Sequence, residues 1–260
     1  MKLKLYQVDA FAEKLFTGNP AAVCPLEDWL PDETMQLIAA ENNLAETAFC
    51  VRSGDNFHIR WFTPALEVDL CGHATLAAAH VLFAHEKQQG DTVRFSSRSG
   101  LLSVTKTAAG LQLDFPVDEM EQLPSHEALA SALGAPPLEV WKGKTDYMLV
   151  YEAQEQIENL QPDFRALART PARGAIATAP GREVDFVSRF FAPQAGIDED
   201  PVTGSAHTSL TPYWAKKLGR NNLSAMQLSK RGGRLQCTLQ NGRVLIEGKA
   251  ITYLQGTIDI

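Results

Sequence analysis

Arg60-Trp61-Phe62-Thr63-Pro64, followed by Glu67 and then by Cys71-Gly72-His73-Ala74, is a pattern that the chain writes twice. The second copy runs Arg189-Phe190-Phe191-Ala192-Pro193, then Glu199, then Thr203-Gly204-Ser205-Ala206. The arginines and prolines stand 129 positions apart and the glutamates and glycines 132, so the second copy carries three extra residues between proline and glutamate. An offset of about half of the 260 residues predicts two similar halves built on one supersecondary plan. Each copy reads as a strand, a turn and a Gly-containing entry into a helix. The copies diverge where chemistry is expected: Cys71 faces Thr203 in the alignment, and His73 faces Ser205. A repeated scaffold with divergent polar residues predicts one site made from two halves.

Working outward, the length allows one large domain or two smaller ones, and the repeat favours two, at residues 1–125 and 126–260. The stretch Gly134-Ala135-Pro136-Pro137 has linker composition near the middle of the chain. Leu3, Leu5 and Gln7 alternate with Lys4, Tyr6 and Val8 as in a strand, and Gly18-Asn19-Pro20 punctuates a turn before the apolar Ala21–Cys24 run. Met35, Ile38 and Ala39 recur at helical spacing between Pro31 and Glu41. Glu46–Val51 and Ile59–Phe62 read as strands. Ala74–Phe83 is apolar on every side, the pattern of a central buried helix. Further strands are expected at Val93–Phe95, Leu101–Thr105 and Leu111–Phe115. Ser125 is a candidate cap for a short helix that ends before Gly134. The second half repeats the programme, with strands at Asp146–Val150 and Asp185–Phe191, a helix over Ser205–Trp214, and strands from Leu235 to Ile260. Pro212 is the weak point of that helix. The fold class is therefore α+β: two pseudo-symmetric halves, each a mixed, curled sheet around a central helix.

Composition narrows the partners. A net charge of −7 with no Lys/Arg run argues against nucleic acid or an anionic membrane. No apolar run reaches membrane-spanning length, and the N-terminus lacks the apolar core of a signal peptide. Four cysteines, Cys24, Cys50, Cys71 and Cys237, without C-x-x-C spacing, fit free thiols in a reducing compartment. A cytoplasmic location is expected.

Glu46 stands at a helix–strand junction flanked by Leu44, Ala45, Ala48 and Phe49. Desolvation there raises a carboxyl pKa and makes a proton carrier near neutral pH; the plainer alternative is a surface carboxylate at a strand start. The helix entries at Gly72 and Gly204 expose backbone N–H groups suited to a small carboxylate or an oxyanion, and tight packing around small residues explains them equally well. Asp200 either orients a ligand or caps a turn. His73, at the first entry, can donate to an anion or shuttle a proton. Cys71 has no thiol opposite it in the repeat, so a two-thiol racemase is not expected, and Cys71 reads as a small buried residue. No zinc spacing, phosphate loop or dinucleotide fingerprint is present, so no metal and no cofactor are expected. Nor does Ser205 sit in a nucleophile elbow.

Taken together, the ordered segments resemble the phenazine-biosynthesis isomerase family (PhzF-like proteins), which is similar in fold to diaminopimelate epimerase. They are Val8-Asp9-Ala10-Phe11, Gly18–Val23, Glu46-Thr47-Ala48-Phe49, Arg60–Pro64, Glu67-Val68, Cys71–Thr75 and Glu199–His207. In this chain Ala45 stands where a serine often precedes the glutamate. The resemblance implies two diaminopimelate-epimerase-like halves, a site in the cleft between them, no cofactor and a homodimer. It implies Glu46 as the acid/base, with His73, Asp200 and Ser205 lining the site beside backbone groups at Gly72 and Gly204. The implied reaction is an isomerisation that moves a proton between carbons of a small cyclic carboxylic or amino acid. A non-catalytic ligand-binding or protein-interaction member of the family is the alternative; retention of Glu46 argues against it, because binding alone needs no buried proton carrier.

Overall fold

The computed structural model describes residues 1–260. In chain order the elements begin with β1 (Lys2–Ala10), β2 (Asn19–Leu26), α1 (Asp32–Asn42), β3 (Glu46–Ser53), β4 (Asn56–Phe62), β5 (Glu67–Val68) and α2 (Gly72–Ala84). They continue with β6 (Thr92–Ser97), β7 (Gly100–Lys106), β8 (Leu111–Pro116), β9 (Glu121–Leu123), α3 (Glu127–Leu133), β10 (Glu139–Lys142), β11 (Asp146–Val150), α4 (Gln154–Glu158) and α5 (Phe164–Leu167). The rest are β12 (Gly174–Pro180), β13 (Phe186–Ala192), β14 (Ile197–Asp200), α6 (His207–Leu218), β15 (Asn222–Gln227), β16 (Gly233–Gln240), β17 (Arg243–Gly248) and β18 (Ala250–Asp259). No helix is long and apolar enough to cross a membrane.

Contacts divide the chain into one unit of Met1–Asp114 with Glu247–Ile260 and a second of Phe115–Ile246. In the first unit the strands follow the order β18, β1, β2, β3, β4, β6, β7, β8, with β2–β3 and β4–β6 parallel and the other neighbours antiparallel. In the second the order is β9, β10, β11, β12, β13, β15, β16, and the parallel pairs are β11–β12 and β13–β15. A short strand adds to the same place in each, β5 on β4 and β14 on β13. The two units share one plan, as the repeat predicts. They differ in where the outer strand comes from. The sequence reading ran the second half to residue 260, whereas β18 lies antiparallel to β1 and so completes the first unit.

Within the first unit, α2 touches β1, β2, β3, β7 and β18, and Gly72–Ala79, Val81 and Leu82, apart from His80, are buried. A helix surrounded this way has no solvent face, which is why its sequence lacks polar periodicity. His80 and His85 both meet the Thr252 hydroxyl of β18, at 2.9 and 2.8 Å. A hydroxyl donates once and accepts besides, so Thr252 serves both rings. Burial and the neighbouring His85 pull His80 down to about 4, which keeps the His80 ring uncharged at neutral pH.

In the second unit α6 starts two residues later than the sequence reading, after a turn at Gly204–Ala206, and it contains Pro212. A proline at this position leaves the carbonyl four residues earlier without its helical donor. That carbonyl belongs to Thr208, and it accepts the Asp118 backbone N–H at 3.2 Å instead. Trp214 stacks on Phe186 with ring centres 5.8 Å apart and donates to Thr178 Oγ1 at 3.0 Å. His126, rather than Ser125, caps α3: its Nδ1 accepts the Leu129 N–H at 3.3 Å, and Gly134 ends the helix in the left-handed conformation.

The repeated Arg and Glu form the same contact in both units. Arg60 forks onto Glu67 through Nε and Nη2, each at 2.7 Å, and lies over the Phe62 ring. Arg189 forks onto Glu199 at 2.7 and 2.9 Å and lies over Phe191. The remaining bonds differ. Arg60 reaches the exposed Asp32, and Glu67 also holds Arg98, while Arg189 Nη1 donates to the Ile157 and Leu160 carbonyls at 3.1 and 2.9 Å. A lysine carries charge but no fork, so each Arg→Lys variant should lose stability. We expect Arg189→Lys to cost about 1–3 kcal/mol, because it also strands two carbonyls, and Arg60→Lys to cost less; urea unfolding of the two variants gives the order.

Candidate functional site

Glu46 opens β3, directly after the turn that ends α1 with Asn43 in the left-handed conformation. Its side chain is 12% exposed and its Oε2 lies 3.1 Å from His73 Nε2. The approach is close enough for strong charge attraction, yet it lies off the ring N–H direction, and neither buried atom makes a hydrogen bond. The sequence reading surrounded Glu46 with apolar neighbours. Ala48 and Phe49 are indeed buried, but the carboxylate itself faces an imidazole.

His73 occupies the first turn of α2. Cys71, the residue before the helix, is extended and offers no side-chain cap; its carbonyl instead takes the Thr75 N–H at 3.2 Å and the Thr75 hydroxyl at 2.5 Å. That geometry turns His73 toward β2 and β3. The Asn19 side-chain amide sits 3.0 Å from His73 Nδ1 and Cys71 Sγ lies 3.5 Å from the same nitrogen. The amide atom at 3.0 Å is Nδ2, a donor, so it partners an unprotonated Nδ1, and a half-turn of the amide brings its oxygen to a protonated one. Burial opposes a charged imidazole at His73, while its contacts with Cys71 and Glu46 favour it, and the balance raises its pKa well above 6.5. Burial also pushes the Cys71 thiol up to about 11. The thiol is therefore neutral near pH 7, and the Glu46 carboxylate is the charge that sustains a histidinium there.

In the second unit Asp200 ends β14, and its Oδ2 accepts the Thr203 hydroxyl. Gln227 of β15, fully buried, ties this loop down: its Oε1 accepts Thr203 N–H at 2.8 Å, and its Nε2 donates to the Asp200 carbonyl at 2.7 Å. Ser205 lies in the turn before α6 and its Oγ accepts from Arg173 Nη2 at 3.1 Å. Arg173 is itself forked onto Asp146, with Nε–Oδ1 at 2.9 Å. Burial works against the guanidinium, but the Asp146 hydrogen bonds outweigh it and raise its pKa. His207 opens α6 with Nδ1 2.8 Å from the Thr203 carbonyl. Burial lowers its pKa to about 4 against the pull of that bond, so the ring is neutral and donates through Nδ1.

Glu46, Gly72 and His73 thus meet in the first unit, and Asp200, Gly204 and Ser205 stand together in the second. Asn19, Arg173, Asp146 and Gln227 were not singled out as site residues from the sequence. Asn19 was read as turn punctuation only, and Arg173 lies 32 residues from Ser205 with no shared motif. The repeat register adds one more point. Thr47 pairs with Phe62 and Ala175 with Phe191, so Glu46 and Gly174 hold the same place in the two units. A Cβ at Gly174 would lie 2.5 Å from Phe190 Cζ and 2.9 Å from the Phe191 carbonyl oxygen. No side chain fits there. Among possible metal donors, Glu46, Cys71 and His73 each offer one ligand atom within 4.8 Å of the others.

A family model described as phenazine biosynthesis-like protein matches residues 8–256. A Pseudomonas aeruginosa protein named as an uncharacterized isomerase is 54% identical over 259 residues, covering 99% of both chains. The crystal structure of a PhzF-family phenazine biosynthesis protein from Enterococcus faecalis aligns at TM-score 0.97 and 48% identity over 100% of both chains. A hydroxyproline epimerase from Agrobacterium vitis shares the fold alone, at TM-score 0.63 and 10% identity over 99% of this chain and 92% of its own. On the match across nearly its whole length, the chain belongs to the phenazine biosynthesis-like protein family.

Proposed function

We propose that this chain is an isomerase that moves a proton between carbon atoms of a small, cyclic carboxylic or amino acid, with Glu46 as the proton carrier and no cofactor. The observation that carries this reading is the pair of buried atoms Glu46 Oε2 and His73 Nε2, 3.1 Å apart and neither of them hydrogen-bonded. Buried polar groups are normally satisfied, so such a pair is suited to a ligand that supplies the missing contacts. Relatives named as isomerases support the reaction class.

In the proposed reaction the Glu46 carboxylate takes a proton from a substrate carbon. The electron pair left behind spreads into the conjugated system next to the carboxyl group, and the histidinium at His73 offsets the developing negative charge. Protonated Glu46 then delivers the proton to a second carbon. Asp200, Ser205 and the backbone at Gly72 and Gly204 are the substrate-binding groups of this proposal, with Arg173 fixing the Ser205 hydroxyl. Gly174 occupies the second unit's counterpart of Glu46, so the repeat supplies one carboxylate at this position rather than two. One base removes and returns the proton on the same face, which moves a double bond; inversion of a single carbon needs a second group on the opposite face. A homodimer and a cytoplasmic location belong to the same proposal.

The test is deuterium incorporation from D2O into candidate cyclic amino and hydroxy acids, followed by mass spectrometry. Glu46→Gln keeps the shape and removes the carrier, so exchange should fall about 10²–10⁴-fold, while ligand binding persists. Exchange at wild-type rate in Glu46→Gln would end the case for Glu46, and binding without exchange in the wild type would make the chain a ligand-binding module. His73 supplies the pH dependence. Its pKa is raised, so the histidinium is present at low and neutral pH and is lost as pH rises through that raised value. Turnover should therefore fall on the alkaline side above the ordinary histidine range. In His73→Gln that limb should disappear from the rate profile.

A further inference from the structure

We infer that Glu46, Cys71 and His73 form a binding site for a thiophilic divalent cation such as Zn²⁺, and that the ion blocks the proton carrier when it binds. The three residues bring a carboxylate, a thiol and an imidazole to one point at the entry of α2, with donor atoms within 4.8 Å of one another. Carboxylate, thiolate and imidazole are each established zinc ligands, and three protein ligands with one open position is a stable zinc geometry. The two donors on the Glu46–His73 side, Oε2 and Nε2, are the ones without hydrogen bonds. Coordination therefore breaks no hydrogen bond at either of them, and the ion takes the place of their direct charge contact.

Around a tetrahedral zinc with bond lengths near 2.0–2.3 Å, neighbouring ligand atoms stand about 3.5 Å apart. The 3.1 Å Oε2–Nε2 separation is close to that value already. Cys71 Sγ, now 3.5 Å from Nδ1 on the other side of the ring, completes the set by a rotation of its own side chain. With the ion on Nε2, the ring proton resides on Nδ1, which faces Asn19 Nδ2 at 3.0 Å; a half-turn of the amide puts its carbonyl oxygen there as the acceptor. A partner on the second ring nitrogen is the usual outer support of a metal-bound histidine. Binding replaces the Cys71 S–H bond with a metal–sulfur bond and the histidinium's Nε2–H bond with a metal–nitrogen bond, and both protons leave to the buffer. The Glu46 oxygen that holds the ion cannot take a substrate proton. No spacing pattern announces such a site, because Cys71 and His73 are two residues apart and Glu46 lies on another element.

Cobalt(II) reports on such a site without turnover. Titration of the reduced protein with Co²⁺ should saturate at one equivalent. It should also produce the sulfur-to-cobalt charge-transfer band in the near ultraviolet, with tetrahedral d–d bands in the visible, and Zn²⁺ should displace both. Cys71→Ser should lose the near-ultraviolet band, Cys237→Ser should keep it, and Asn19→Ala should bind about 10–100-fold more weakly. His73→Asn provides the same test should Cys71→Ser fail to fold. No charge-transfer band, or a band that survives in folded Cys71→Ser or His73→Asn, overturns the site. Blocking rests on the Glu46 reading above and has its own readout: Zn²⁺ should stop deuterium exchange and a chelator should restore it. A normal cobalt spectrum with undiminished exchange rejects the blocking while leaving the site, whereas the Glu46→Gln exchange test judges the catalytic reading alone.

Discussion

The bidentate arginine–glutamate contact that occurs once in each unit is the constraint on which the other features depend. In both places it closes the segment between a central strand and the helix that follows, Arg60 to Glu67 and Arg189 to Glu199. A guanidinium fork matched to a carboxylate fixes direction as well as distance. The chain beyond it therefore leaves at a set angle toward Gly72 in one unit and Gly204 in the other. Stacking of each arginine on an aromatic ring two residues along its own strand holds the fork from the second side. The helix entries, and the polar residues they carry, are aimed by a contact that takes no part in chemistry.

From this common frame the two units diverge by small substitutions. The first carries a carboxylate on β3 and an imidazole and a thiol at the helix entry. The second carries glycine where the carboxylate would be, with Phe190 packed against it, and an arginine–aspartate pair that holds Ser205. One unit thus gathers a carboxylate, an imidazole and a thiol, and the other an arginine–aspartate pair, hydroxyls and a buried amide. The repeated plan supplies the geometry. The missing side chain at Gly174 distinguishes the units as much as the carboxylate of Glu46 does.

How much of this was legible in sequence follows from range. The repeat, the strand–turn–helix plan and the buried helix over residues 74–83 are patterns within short windows, and periodicity reads them directly. Glu46, His73, Asp200 and Ser205 sat in motifs specific enough for a family resemblance. The contacts that set their electrostatics were not legible. Asn19 meets His73 across 54 positions, Arg173 meets Ser205 across 32 and Gln227 meets Asp200 across 27, and no local window holds both partners. The late start of α6 depended on a turn at Gly204–Ala206 that competes with helix for the same small residues. The helix then ran through Pro212 because Asp118 supplies a donor from elsewhere in the unit. A propensity argument cannot see that donor.

The placement of β18 bears on the order of events during synthesis. Its ten residues lie beside β1, and Thr252 serves the two histidines that α2 and its end present to that strand. The first unit therefore lacks an outer strand, and the partner of its central helix, until the whole of the second unit has been synthesised. The second unit, Phe115–Ile246, is one continuous stretch and can finish earlier. Until β18 arrives, the nascent first half exposes the unpaired edge of β1, the kind of edge that invites pairing with other chains. The alternation of Lys2 and Lys4 with Leu3 and Leu5 along that edge puts positive charge beside the open hydrogen-bonding groups during the interval, a guard against misassembly that the finished protein no longer needs.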